Sequence, residues 1–175
     1  PNLVQMFVLG VDPGLTRCGY GCVEQVGRTP RAVALGVLRT DKDDPLPKRL
    51  ADLQVGIRAL IAELEPAVVA VERVFFQVNV RTAMAVGQAS GIVMAEAHAA
   101  GCEVEMYTPN QVKEAVAGHG SADKEQVGQM VQTLLAYARG AGVDARWLVI
   151  EGSTEFFAIT KRIHNGLYGA SGDGG

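Results

Sequence analysis

The sequence predicts an α/β domain in which an antiparallel meander of three strands precedes alternating helices and strands. Three observations predict it. Three short apolar runs with turn residues between them open the chain. An amphipathic helical repeat then leads into a wholly apolar run. A long stretch free of proline, rich in Ala, Gly and Met, is followed by one more short strand.

The elements follow in order. Phe7-Val8-Leu9-Gly10-Val11 reads as a buried strand stopped by the turn Asp12-Pro13-Gly14. Gly19–Val23 and Ala32–Leu38 complete the meander, with Cys18 and Cys22 on one strand face as packing residues. Asp41–Pro47 is polar and carries two prolines, a loop. Leu50, Leu53, Ile57, Leu60, Ile61 and Leu64 repeat at helical spacing up to Pro66. Ala67–Val71 suits a strand buried on both faces, ending at Glu72. Asn79–Ala100 reads as a long helix whose small residues Gly87, Ser90, Gly91 and Ala95 permit close packing. Glu103–Tyr107 is a short strand. Thr108-Pro109 starts a short helix, with Thr as the cap and Pro in the first helical position. Ser121 caps another helix, with Val127, Met130, Val131, Leu134 and Leu135 on one face. The texture changes near Tyr137, and the residues from Gly169 on are expected to be disordered.

Composition narrows the function classes. The chain has 175 residues with 48% hydrophobic and 20% charged, enough for one real core. Its net charge of −3 argues against a generic nucleic-acid coating protein but not against an enzyme that touches DNA locally. Three cysteines with no CxxC pair fit a reduced, cytoplasmic protein. The longest stretch without a charge, Thr82–Ala95, is too short to span a bilayer, so no membrane role is expected.

Asp12 and Glu72 stand out, because each terminates a very apolar strand. If both strands are central and parallel, the two carboxylates lie side by side, a hard oxygen pair suited to Mg²⁺ or Mn²⁺. The alternative is that Asp12 merely opens a turn and Glu72 ends a strand in solvent.

Five blocks extend this reading. They are Leu9-Gly10-Val11-Asp12-Pro13-Gly14-Leu15-Thr16-Arg17-Cys18-Gly19, Val69-Ala70-Val71-Glu72-Arg73-Val74-Phe75, Val86-Gly87-Gln88-Ala89-Ser90-Gly91, Thr108-Pro109-Asn110-Gln111-Val112-Lys113 and Gly118-His119-Gly120-Ser121-Ala122-Asp123-Lys124-Glu125-Gln126-Val127. In order and spacing they resemble the RuvC family of Holliday-junction resolvases, over residues of about 6–136. The resemblance implies an RNase H-like fold, a five-stranded mixed sheet flanked by helices. It also implies a homodimer that nicks four-way junction DNA in recombination and repair, with Mg²⁺ as cofactor (Mn²⁺ in its place), and a branch-migration helicase complex as partner.

By position, Asp12 and Glu72 match the first two catalytic, metal-holding acids. Phe75 matches an aromatic that stacks on a base. Lys113 and Lys124 match lysines near the scissile phosphate, and Arg17, Arg73 and Arg81 are candidate phosphate contacts. The stretch from Arg28 to Arg49 is locally positive, either a solvated face or the flank of a DNA track.

The chain departs from the family after its last matching block. The expected acidic helix of Asp-Ala-Ala-Asp type is replaced by Gly142-Val143-Asp144-Ala145-Arg146-Trp147. Asp144 is the candidate third acid, and the fourth position falls on Trp147. The region from Trp147 to Asn165 looks like a stretch of trehalose-synthesising glycosyltransferases. The expected division is therefore a resolvase domain at 1–136 and a divergent tail at 137–175. Two readings follow. One is an active metal-dependent endonuclease. The other is a junction-binding protein whose foreign or frameshifted tail lacks the remaining acids. A third reading, an actin-like ATPase, shares the opening strand and Asp turn but needs a second lobe and a second Gly-rich hairpin.

Overall fold

The computed structural model describes residues 6–26, 29–73, 80–108 and 110–111. Its elements run β1 (Met6–Asp12), β2 (Arg17–Val26), β3 (Thr29–Arg39), α1 (Leu46–Leu64), β4 (Val68–Glu72), α2 (Val80–Ala99) and β5 (Glu103–Tyr107). The expected helices beyond Gln111, the division at 136 and the tail lie outside the described residues.

The five strands form one mixed sheet in the order β3-β2-β1-β4-β5. β1 pairs antiparallel with β2 and parallel with β4. β2 pairs antiparallel with β3, and β5 joins β4 in parallel. This is the five-stranded mixed sheet that the family resemblance implies, and the element order read from the residues agrees with it.

The connections β3-α1-β4 and β4-α2-β5 both move in the same direction across the sheet. Right-handed crossovers then place both helices on one face. The core agrees: Leu9, Val11, Cys18, Cys22, Val69 and Val71 pack with Leu53, Ile57 and Ile61 of α1 and Ala89, Val93 and Ala97 of α2. Cys18 and Cys22 are indeed packing residues. Residues in alternate positions face the other way, and there Val8, Val68 and Ala70 are also buried. β1 and β4 are thus covered on both faces, as their continuous apolar runs suggest.

Two expectations are corrected. α1 begins at Leu46 rather than Leu50, because proline is tolerated in a first helical turn and Pro47 sits there. At the other end Glu65 takes a left-handed conformation (φ 43°) and its N–H bonds the Ile61 carbonyl at 2.9 Å, after which Pro66 turns the chain into β4. In α2 only Ser90 of the four small residues is buried. A Cβ added at Gly87 or Gly91 would meet nothing within 4 Å, so the stripe through Val80, Met84, Gly87, Gly91 and Ala95 is open. Among the described residues no helix is long and apolar enough to cross a membrane.

One charged contact ties the helices together. The Arg58 guanidinium grips Glu96 with Nε to Oε2 at 2.8 Å and Nη2 to Oε1 at 2.9 Å, and Gln54 Nε2 adds a bond of 2.6 Å. The Arg58 and Gln54 bonds hold the Glu96 carboxyl well below its ordinary 4.5, at about 2. A carboxylate lowered in the folded state stabilises it above the unfolded value. That stabilisation fades as pH falls from about 4.5 towards 2. Unfolding by urea across that window should therefore show a falling midpoint in the parent, and a shallower fall in Glu96→Gln.

Candidate active site

The two strand-end acids meet because of a register. In the parallel pair of β1 and β4, Val8 lies level with Val68 and Val11 with Val71. Each strand ends one residue later, at Asp12 and at Glu72. Continued by one residue, that register sets the two backbone positions side by side, at a strand spacing of about 4.8 Å. Because Val11 and Val71 face the helices, Asp12 and Glu72 face the opposite side, each half-buried. They stand at the carboxyl ends of central parallel strands, where open α/β sheets receive ligands.

The turn after Asp12 is tied down from outside. A Cβ at Gly14 would collide with the Arg17 carbonyl, so the turn accepts only glycine there. The buried Thr40 hydroxyl donates to the Leu15 carbonyl at 2.5 Å, and the Thr40 N–H reaches the Thr16 carbonyl at 3.3 Å. Arg49, in the first turn of α1, donates from Nε to Thr40 Oγ1 at 3.0 Å and from Nη2 to Thr16 Oγ1 at 2.7 Å. One arginine thus clips the helix, the end of β3 and the turn carrying Asp12. Burial pushes the neighbouring Cys18 thiol up to about 11, against a lowering Gly14 N–H bond and with a further rise from the Asp12 charge. Cys18 stays a neutral packing group at physiological pH.

Glu72 lies level with Tyr107 of β5. Past the strand ends, the Arg73 N–H donates to the Tyr107 carbonyl at 2.7 Å. The next residue, Thr108, forms a capping box with Gln111. Thr108 N–H donates to Gln111 Oε1 at 2.9 Å, and Gln111 N–H returns to Thr108 Oγ1 at 3.3 Å. The expected cap at Thr108 is therefore present, and the chain turns into a helix directly beside Glu72.

Of the residues expected from sequence, Asp12 and Glu72 come together. Arg73 is exposed just past Glu72, and Arg81 is exposed in the first turn of α2. Phe75, Lys113, Lys124 and Asp144 lie outside the described residues. Among the described residues no three His, Cys, Asp or Glu side chains converge as a metal site. The two carboxylates are hard oxygen donors of the kind a divalent cation takes. Sequence reasoning missed Tyr107 beside Glu72 and the Thr40–Arg49 tether. Neither carries a local signal, because each depends on strand register.

Comparison with known proteins places this geometry. The family model described as crossover junction endodeoxyribonuclease RuvC matches residues 8–145. A second model, the trehalose synthase N-terminal domain, matches residues 125–174. The crossover junction endodeoxyribonuclease RuvC of Salinispora arenicola is 55% identical over 131 residues, covering 74% of this chain and 75% of that protein. That of Natranaerobius thermophilus is 47% identical, covering 75% of this chain and 81% of its own length. Among solved structures, T. thermophilus RuvC in complex with a Holliday junction substrate aligns with a TM-score of 0.77 at 34% identity. It covers 89% of this chain and 91% of that one. The yeast mitochondrial Holliday junction resolvase Ydc2, at 17% identity and a TM-score of 0.65, shares the fold.

The tether makes a measurable claim. Thr40→Val leaves the Leu15 carbonyl without its donor and removes an acceptor from Arg49. It should cost about 1–3 kcal/mol in urea unfolding, and speed amide hydrogen exchange at residues 14–17 more than in β4.

Proposed function

The chain belongs to the RuvC family of crossover junction endodeoxyribonucleases, and from that premise we propose that it resolves four-way DNA junctions with Asp12 and Glu72 as metal-holding acids. The observation that carries the residue assignment is the β1–β4 register, which levels the two acids on the sheet face away from α1 and α2.

Asp12 and Glu72 would hold the cation through one or more carboxylate oxygens each, with Mg²⁺ the expected ion and Mn²⁺ a substitute. A bound divalent ion lowers the pKa of an attacking water and steadies the leaving 3′-oxygen in phosphodiester cleavage. The protein's own part is positioning. Parallel pairing keeps the acids at a constant separation, and the Arg49 clip keeps the Asp12 turn from swinging away. Arg73 and Arg81, with Phe75, Lys113 and Lys124, are the proposed DNA contacts, and Asp144 the proposed third acid.

A homodimer suits a two-fold junction. The exposed stripe on α2, with Val80 74% and Met84 62% exposed, supports a second copy docking there. A branch-migration helicase complex is the further partner implied by the family.

One observation favours a second reading, a junction binder that cleaves slowly. Where the family carries its acidic helix this chain has Asp144 followed by Trp147, and a different family's model takes over in this region. Two measurements on a synthetic four-way junction decide these points. Asp12→Asn should abolish divalent-dependent nicking without weakening junction binding; surviving cleavage would remove Asp12 from the metal site. Fast nicking by the parent chain would dismiss the slow-cleaving reading.

A further inference from the structure

Arg17 and Arg39 occupy an arrangement that β-sheets ordinarily avoid. They are direct partners across the antiparallel pair of β2 and β3, and both are exposed. Opposite residues share a face with Cβ atoms about 5 Å apart, and like charges so placed are destabilising. Neither arginine pairs with a carboxylate among the described residues. The basic side chains nearby are engaged. Lys48 bridges Asp44 at 2.7 Å and Asp52 at 2.8 Å, and Arg49 is committed to Thr16 and Thr40.

The face they share is the informative part. Cys18, Tyr20 and Cys22 of β2 pack towards the helices, as does Leu38 of β3. Arg17 and Arg39 alternate with these and so face the other side. Gly19, two residues from Arg17, is the direct partner of Asp12. Arg17 therefore stands on the face of Asp12 and Glu72, one strand over and about 7 Å beyond the end of β1. On β2, Gly19 and Gly21 put no side chain between Arg17 and the acids.

We propose that Arg17 and Arg39 form a two-arginine phosphate clamp at the rim of the acid-bearing face. It grips a DNA backbone phosphate beside the one presented to Asp12 and Glu72. An anion between two guanidinium groups removes the repulsion that their register creates, and their planar forks match phosphate oxygens. The clamp rests on the DNA-cleaving reading, because its ligand is the same strand.

The test is the salt dependence of binding by Arg17→Gln, Arg39→Gln and the double variant, on a four-way junction and on duplex of the same sequence. Each lost phosphate contact should reduce the slope of log K against log salt by about 0.9. Across a fourfold salt increase, loss of that one phosphate contact should make the double variant lose about 3.5-fold less affinity than the parent. Lys42→Gln, at the exposed pair with Asp43, should leave the slope unchanged. Without DNA the double variant should melt no lower than the parent, since a repulsion has gone. A parental slope in a folded double variant overturns the clamp. A parent that binds junction no better than duplex overturns the junction-resolving reading, while the duplex slopes still judge the clamp. A parent that binds no DNA overturns both.

Discussion

The parallel register of β1 on β4 is the constraint on which the rest of the structure depends. Side chains alternate along a strand, so a slip of one residue would turn Asp12 to the helix side while Glu72 stayed. What prevents the slip is apolar. Leu9 and Val11 on β1 and Val69 and Val71 on β4 are essentially without exposure, packed under α1 and α2. Fully burying one such side chain is worth about 1.5–3 kcal/mol. A slipped strand would pull two of them out of their packing under the helices and drive a carboxylate into that apolar layer. The placement of the acids is thus enforced from the opposite face, by groups that never approach a ligand.

That division of labour explains the crossovers. With both helices on one side, the carboxyl ends of β1, β4 and β5 present Asp12, Glu72 and Tyr107 towards the other. Parallel strands fix the separation of the two acids but not the turn that follows Asp12, which carries few ladder bonds of its own. Thr40 and Arg49 supply the missing constraint with bonds between 2.5 and 3.3 Å. Gly14 lets the turn close against the Arg17 carbonyl, so one residue brings both Cys18 and Arg17 into β2 in the correct phase.

Much of this was legible in the residues. Continuous apolar runs ending in Asp12 and Glu72 marked two buried strands, and helical spacing from Leu50 to Leu64 marked α1. Thr108-Pro109 marked a helix start that the capping box bears out. What depends on pairing between distant strands was not legible. The partnership of Arg17 with Arg39 follows from how β2 and β3 align, and that alignment includes a register shift between Cys22 and Val23 that no local pattern announces. Likewise the first turn of α1 hid behind Pro45 and Pro47, because proline reads as loop until the helix is seen to begin there. Of the side chains proposed to contact DNA, Phe75, Lys113 and Lys124 lie outside the described residues, so what is observed is the acid pair, its supports and the arginines around them.

Net charge illustrates the same limit. A total of −3 averages over faces that behave differently. On α1, Lys48 is neutralised by Asp44 and Asp52, and Arg58 by Glu96. Two bases against three acids leave a net of −1 there, so these groups offer a polyanion no long-range attraction. Asp12 and Glu72 enter the total as two negative charges, yet the divalent cation proposed to lie between them would cancel both locally. What a polyanion meets on that face is then set by Arg17 and Arg39, which the fold leaves exposed with no described carboxylate beside them. Local pairing, rather than the sum, decides how an acidic chain of this fold can receive DNA.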